Sequence, residues 1–221
     1  IPAAGFFIYL AFGRRINKDN MFKLKKEEDK RCKNRVIETN NFLQYSNRLE
    51  PEVLEHRDII YSLTNSNSAA YTTNNQVSIY TDGNELFDEL IYQIKQATKY
   101  IHIEFYIFKD DELGNRIIDV LLDKLSQGVE VRLLYDSVGS RLFSNKSINK
   151  LKEAGAKVGA FFPSFLKIIN LNLNYRNHRK LVIIDGKVGF VGGFNVGKEY
   201  IGRDPKFGYW RDTHTKIIGS A

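Results

Sequence analysis

Apolar positions fall along this chain in three regimes. Ile1-Pro-Ala-Ala-Gly-Phe-Phe-Ile-Tyr-Leu-Ala-Phe12 is almost continuously apolar and stops at Gly13-Arg14-Arg15. From Asn17 to Arg35 charges of both signs dominate. From about Gln76 onward periods of two and of 3.6 alternate, the pattern of strands interleaved with helices. Val77-Ser-Ile-Tyr80 reads as a strand, and Thr81-Asp-Gly-Asn84 opens a helix with Leu86, Leu90, Ile91 and Ile94 at helical spacing. Residues 100–108 predict a second strand. Ile117, Val120, Leu121 and Leu125 mark a second helix, which Gly128 ends. Residues 129–135 read as a strand, 146–154 as a short helix and 156–162 as another strand. Residues 179–184, the turn Asp185-Gly186 and residues 188–191 read as a hairpin, and 213–218 as a last strand. This alternation predicts an α/β domain, a mixed sheet flanked by helices.

The regimes suggest boundaries at 1–15, 16–75 and 76–221. Twelve apolar residues fall short of the ~20 that span a bilayer, so on length alone a buried core helix is preferred. The abrupt apolar start, the Gly-Arg-Arg stop and the polar stretch beyond favour the end of a transmembrane helix, with the arginines on the cytoplasmic side. The charged stretch reads first as a solvated helix with i,i+4 pairs, and as a juxtamembrane segment second. Residues 36–64 have room for one or two short helices, and the polar run 65–75 reads as a linker.

Charge and composition narrow the partners. A net charge of +7 and a pI near 9.3 favour anionic ones, phospholipid surfaces or nucleic acid. Cys32 stands alone, which rules out an intrachain disulfide.

Candidate chemistry concentrates in one segment. His178 and Lys180 are two apart in a predicted strand and leave the same face. With the turn at Asp185-Gly186 or one residue later, the odd-numbered residues of the return strand share that face, bringing Gly193 and Asn195 to His178 and Lys180. An imidazole can attack phosphorus and form a covalent intermediate. Lysine supplies compact positive charge, and an asparagine amide supplies donors to non-bridging oxygens. Gly193 leaves room for a close approach of substrate to backbone. No Cys/His cluster has metal-ligand spacing, so charge stabilisation falls to protein groups, and no cofactor is expected. Asp185, a turn former, holds the hairpin and need not touch substrate.

These positions read H-x-K-x4-D-x6-G-G-x-N, which matches the motif of the phospholipase D superfamily over its whole length. The run from Asn195 to His214 resembles the stretch that follows the first such motif in bacterial cardiolipin synthases. Ile103-Glu-Phe-Tyr-Ile107 and Leu134-Tyr-Asp-Ser-Val-Gly-Ser140 resemble their upstream segments. The similarity runs from about Gln76 to the last residue, with a weaker echo in the first fifteen. It implies a sheet flanked by helices behind a membrane helix, at the cell membrane with the catalytic domain on the cytoplasmic side. It also implies phosphatidylglycerol as substrate, and anionic lipids rather than nucleic acid as partners. Superfamily members place an acid near Asp212 to bind the far nitrogen of the motif histidine, a role carried here to Asp212. Two-motif relatives use the first histidine as nucleophile. This chain carries one motif, so a second half is expected from the same longer chain or another subunit. The rival readings are a phospholipase D hydrolase, a single-motif homodimeric nuclease, and a non-catalytic membrane-associated fragment.

Several other residues invite a role. Glu104, in an apolar strand, needs a partner such as Arg, Lys or His, and a structural ion pair is as good a reading as contact with substrate. Asp136 suits a cap or turn. Arg176 before the motif, with Tyr175 and Asn177, and Tyr200, Arg203 and Trp210 after it, border a candidate substrate channel. The apolar run 161–169 is either core or a membrane-dipping loop. His56, His102 and His214 read as structural or exposed.

Overall fold

The computed structural model describes residues 36–41, 51–67, 70–161 and 176–219. The chain divides into two units, Ile1–Thr73 and Asn74–Ala221. The apolar run at 1–12, the charged stretch at 17–35 and residues 162–175 lie outside the described residues, and with them the expected end of a transmembrane helix. Among the described residues no helix is long and apolar enough to cross a membrane.

In the first unit residues 36–41 are helical, followed by α1 (Pro51–Glu55) and α2 (Arg57–Asn67). Thr64, Asn65 and Ser66 near the end of α2 turn their side chains back onto the carbonyls of Ile60, Tyr61 and Ser62. These i−4 bonds satisfy the polar side chains locally.

The second unit is built on a seven-stranded mixed sheet in the order β1-β7-β6-β5-β2-β3-β4. The strands are β1 (Gln76–Asp82), β2 (Tyr100–Phe105), β3 (Glu130–Asp136), β4 (Lys157–Phe161), β5 (Leu181–Ile184), β6 (Val188–Gly192) and β7 (Arg211–Ile218). Strands β2, β3 and β4 run parallel, each joined to the next by a helix. Strands β5, β6 and β7 form an antiparallel meander that attaches to β2 and closes on β1.

The helices are α3 (Gly83–Gln96), α4 (Glu112–Ser126) and α5 (Asn145–Glu153), packed side by side. Each begins where a short polar side chain takes orphan backbone N–H groups. Asp82 accepts from Asn84 and Glu85, Asp111 from Leu113 and Gly114, and Ser144 from Ser147. Gly128, at φ 84°, ends α4 as expected: its N–H reaches Leu125 O and that of Val129 reaches Lys124 O. Leu86, Phe87, Leu90 and Ile94 of α3 and Ile117 and Leu121 of α4 meet Ile101, Ile103, Val131, Leu133, Val182 and Phe190 in one core.

The hairpin register differs from the expected one. Ile184 pairs with Val188, so the connection has three residues, with Asp185 and Gly186 both at positive φ. Val182 faces Phe190, and both are buried, so even-numbered residues share a face. Gly193 and Asn195 therefore do not reach the motif by strand alternation. They lie beyond the end of β6, in a loop that the rest of the fold holds.

Candidate active site

Strand β5 starts at Leu181, so His178 and Lys180 lie in the irregular approach to it rather than within a strand. Neighbouring side chains anchor that approach. The Asn177 N–H donates to Asp136 Oδ2 at 3.1 Å, and its Nδ2 donates to Glu104 Oε1. Its Oδ1 accepts from the Arg179 N–H at 3.2 Å. Glu104 thus holds an amide rather than the expected cation, and it acts on the segment that carries His178. Asp136 is fully buried, and its Oδ1 takes the N–H groups of Val138 and Gly139.

His178 is exposed and stacks on Tyr106, ring centroids 3.9 Å apart and planes 17° from parallel. The Lys180 ammonium sits 5.5 Å from the same ring centroid and donates to His178 O at 2.7 Å. Burial pulls the Lys180 ammonium below the usual lysine value, against the opposing charge of Asp212. The terminal guanidinium nitrogens of Arg176 are buried, with no hydrogen-bond partner among the described residues.

Asn195 is 6 % exposed and committed to the scaffold. Its Oδ1 accepts from the Ile107 N–H at 3.0 Å, and its Nδ2 donates to Tyr200 Oη at 3.2 Å, leaving one amide hydrogen without a partner among the described residues. The loop around it is fastened to the end of β2. Val196 N–H donates to Ile107 O, and Lys109 N–H donates to Val196 O. Lys198 N–H donates to Asp111 Oδ2 at 2.7 Å, and Lys109 pairs with the buried Glu199 of the 3-10 turn Lys198–Ile201. Of these partners, Lys109, Asp111 and Glu199 have no sequence signal beyond being polar.

Asp212 lies in β7, against the loop backbone. A Cβ on Gly193 would stand 1.9 Å from Asp212 Oδ1, so glycine leaves this carboxylate its seat. Among the described residues no hydrogen bond joins Asp212 to His178. Its charge acts instead on Lys180 and on His214. His214, 2 % exposed, is a site neighbour that its sequence context does not single out. Burial pushes its imidazole down to about 4; Asp212 opposes the shift and Lys180 adds to it. Its Nδ1 is buried with no hydrogen-bond partner among the described residues.

Asp185 is at the opposite end of β5 from Lys180, about 16 Å away at ~3.3 Å per residue. Its Oδ2 accepts from Thr98 N and Oγ1 at 2.8 and 2.9 Å, and its Oδ1 from Lys99 N and Tyr100 N at 2.8 and 2.9 Å. Burial raises this carboxyl's pKa, but hydrogen bonds from Thr98, Tyr100 and Lys99 outweigh it and bring it to about 2. Asp185 pins the turn to the start of β2 and is not brought to His178.

Of the remaining candidates, Tyr200 is buried edge-on against Trp210, which packs on Phe207, and Arg203 pairs with Glu112. Tyr175 lies outside the described residues. Among the described residues no three His, Cys, Asp or Glu side chains gather as metal ligands.

The chain matches known proteins over this same region. A family model described as "Cardiolipin synthase, PLD-like domain" matches residues 90–205, more than half of the 221. The whole chain is 48 % identical over 227 aligned residues to a cardiolipin synthase of Oceanobacillus iheyensis, of which it spans 46 %. It is 46 % identical to the major cardiolipin synthase of Bacillus subtilis, again spanning 46 % of that protein. The chain therefore covers about half the length of the curated relatives it matches. Among solved structures, NucT from Helicobacter pylori shares the fold at a TM-score of 0.51 and 21 % identity, covering 66 % of this chain and 87 % of that one. By the family model and by the one-histidine, one-lysine motif at the mouth of its sheet, the chain belongs to the cardiolipin synthase family of phospholipase D-like domains.

Proposed function

We propose that this chain carries the nucleophilic half of a cardiolipin synthase active site at the cytoplasmic face of the cell membrane. The observation that carries the reading is the paired placement of His178 and Lys180 against one aromatic ring, in a chain whose long relatives are cardiolipin synthases. A ring nitrogen of His178 attacks the phosphorus of phosphatidylglycerol. The P–O bond to glycerol breaks, and a phosphatidyl-histidine forms. Lys180 and the remaining Asn195 amide hydrogen meet the non-bridging oxygens as charge develops. Arg176, whose two terminal guanidinium nitrogens have no hydrogen-bond partner among the described residues, is suited to a second phosphate oxygen contact.

The leaving glycerol takes a proton from an acid supplied by a second motif. The same group then removes the hydroxyl proton of a second phosphatidylglycerol, whose oxygen displaces His178 to give cardiolipin. That second half comes from the remainder of a longer chain, consistent with relatives about twice this length, or from another subunit.

The test supplies the full-length gene product, in membranes, with phosphatidylglycerol labelled in its phosphate and headgroup. Cardiolipin and free glycerol in equal amounts, absent with His178→Ala, support the reading. Phosphatidic acid without cardiolipin would make the protein a hydrolase. Absence of any lipid product, with cleavage of supplied DNA, would make it a nuclease.

A further inference from the structure

Tyr106 follows the last residue of β2, far in sequence from the motif that it touches. Its ring lies flat against the His178 imidazole at 3.9 Å and within 5.5 Å of the Lys180 ammonium. A cation within about 6 Å of an aromatic face is attracted by the ring's negative quadrupole. An imidazole stacked by its face keeps both ring nitrogens at a free edge, where their in-plane lone pair or hydrogen points away from the stack.

The ring itself is held from behind. Asp136 draws in the N–H groups of Val138 and Gly139, which bends residues 137–140 against Tyr106. Ser140 Oγ donates to Tyr106 O at 3.0 Å and accepts from Phe108 N–H at 2.9 Å. A Cβ on Gly139 would lie 2.3 Å from Tyr106 O and 2.8 and 2.9 Å from its Cε2 and Cδ2, so only glycine lets this turn close on the ring. The same Asp136 holds the Asn177 N–H. One buried carboxylate thus sets both the backing of the tyrosine and the backbone next to His178.

We propose that Tyr106 is a positioning residue of this site. Its ring fixes His178 and Lys180 in one mutual arrangement, with Gly139 making the space for it. The ring acts through its face, not its hydroxyl. The inference rests on His178 being the nucleophile of the proposed phosphatidyl transfer, but the stack has a readout independent of that chemistry.

Full-length protein in lipid nanodiscs, labelled with 13C-histidine, is compared as wild type, Tyr106→Phe and Tyr106→Leu. The His178 resonance is identified by its loss in His178→Ala, and the melting temperature of each variant is recorded. Ring current shifts the His178 protons upfield in wild type and Tyr106→Phe, and Tyr106→Leu loses that shift. In single turnover with phosphatidylglycerol, Tyr106→Leu forms phosphatidyl-histidine about 10²-fold more slowly, the scale of an ångström's misplacement of a reacting group. Its half-saturating lipid concentration stays unchanged, and Tyr106→Phe recovers the rate. A His178 resonance that does not move in Tyr106→Leu overturns the stack. A Tyr106→Phe variant as slow as Tyr106→Leu overturns the role of the ring face and assigns it to the hydroxyl. A wild type that forms no phosphatidyl-histidine, yet shows the shift, refutes the transferase reading and leaves the platform standing. Should Tyr106→Leu fail to fold, Tyr106→Phe alone decides between ring and hydroxyl by the same two readouts.

Discussion

Replacing Asp185 by asparagine tests whether the acid of the motif is a clamp or a reactive group. The carboxylate accepts four hydrogen bonds from residues 98–100, two on each oxygen. The asparagine side chain keeps one acceptor oxygen and turns an NH2 group towards the other pair of donors. The fall of the Asp185 pKa from 3.8 to about 2 would correspond to ~2 kcal/mol for a group shielded from water. The clamp is partly open to solvent, which screens it, so ~1–2 kcal/mol is the expected loss. For a chain of this size that lowers the melting temperature by about 3–6 °C.

The pH dependence follows from the sign of the shift. A carboxyl whose pKa is depressed by folding contributes stability above its unfolded value and loses it as pH falls through the folded one. The gap between wild type and Asp185→Asn should be full near neutral pH. It should close as pH drops from 3.8 to about 2. Thermal unfolding followed by circular dichroism across that range gives the gap directly, and turnover per folded molecule should stay within about tenfold of wild type. An unchanged melting temperature with turnover lost to the level of His178→Ala would refute the argument and place Asp185 at the substrate.

His178→Ala should abolish the acid-labile phosphatidyl-protein adduct and lower turnover by about 10⁴-fold or more, read by trapping labelled lipid on protein. His214 is buried with its pKa lowered, so protons bind preferentially to the unfolded chain; stability should fall as pH drops from 6.5 to about 4, by up to ~3 kcal/mol. His214→Gln should flatten that slope in the same unfolding experiment. Gly193→Ala drives a methyl group into Asp212 and should displace the carboxylate, costing about tenfold or more in turnover, with a crystal structure showing whether Asp212 has moved. Glu104→Gln retains an acceptor for Asn177 whereas Glu104→Ala does not; the alanine variant should be slower by about tenfold and the glutamine variant close to wild type, measured as initial rates.

Local patterns carried much of this protein in its sequence. The alternating periods placed every strand and α-helix of the second unit, though not the 3-10 turn at Lys198–Ile201, because each has an apolar face that must be buried and the α-helices begin at side-chain caps. Asp185 was identifiable as a turn residue because Asp-Gly between two apolar runs admits few other conformations. The spacing of His178, Lys180, Gly193 and Asn195 was enough to name a superfamily and a phosphoryl chemistry. What the sequence could not reveal is how these residues are held. The hairpin register turns on whether the connection has two residues or three, and the carboxylate's contacts with residues 98–100 accompany the longer one. Nothing in the sequence places the Asn195 oxygen on the Ile107 N–H, which leaves only its amide group to face a substrate, or seats the Asp212 carboxylate against Gly193. Tyr106, Gly139 and His214 lie in segments that resemble the family, but residue type assigns them no role, since their contacts are between elements that only the sheet order brings together. Residue type and spacing determined the chemistry available to the chain; the tertiary structure decided which atoms remain free to perform it, because a donor or charge already satisfied by the scaffold is no longer available to a substrate.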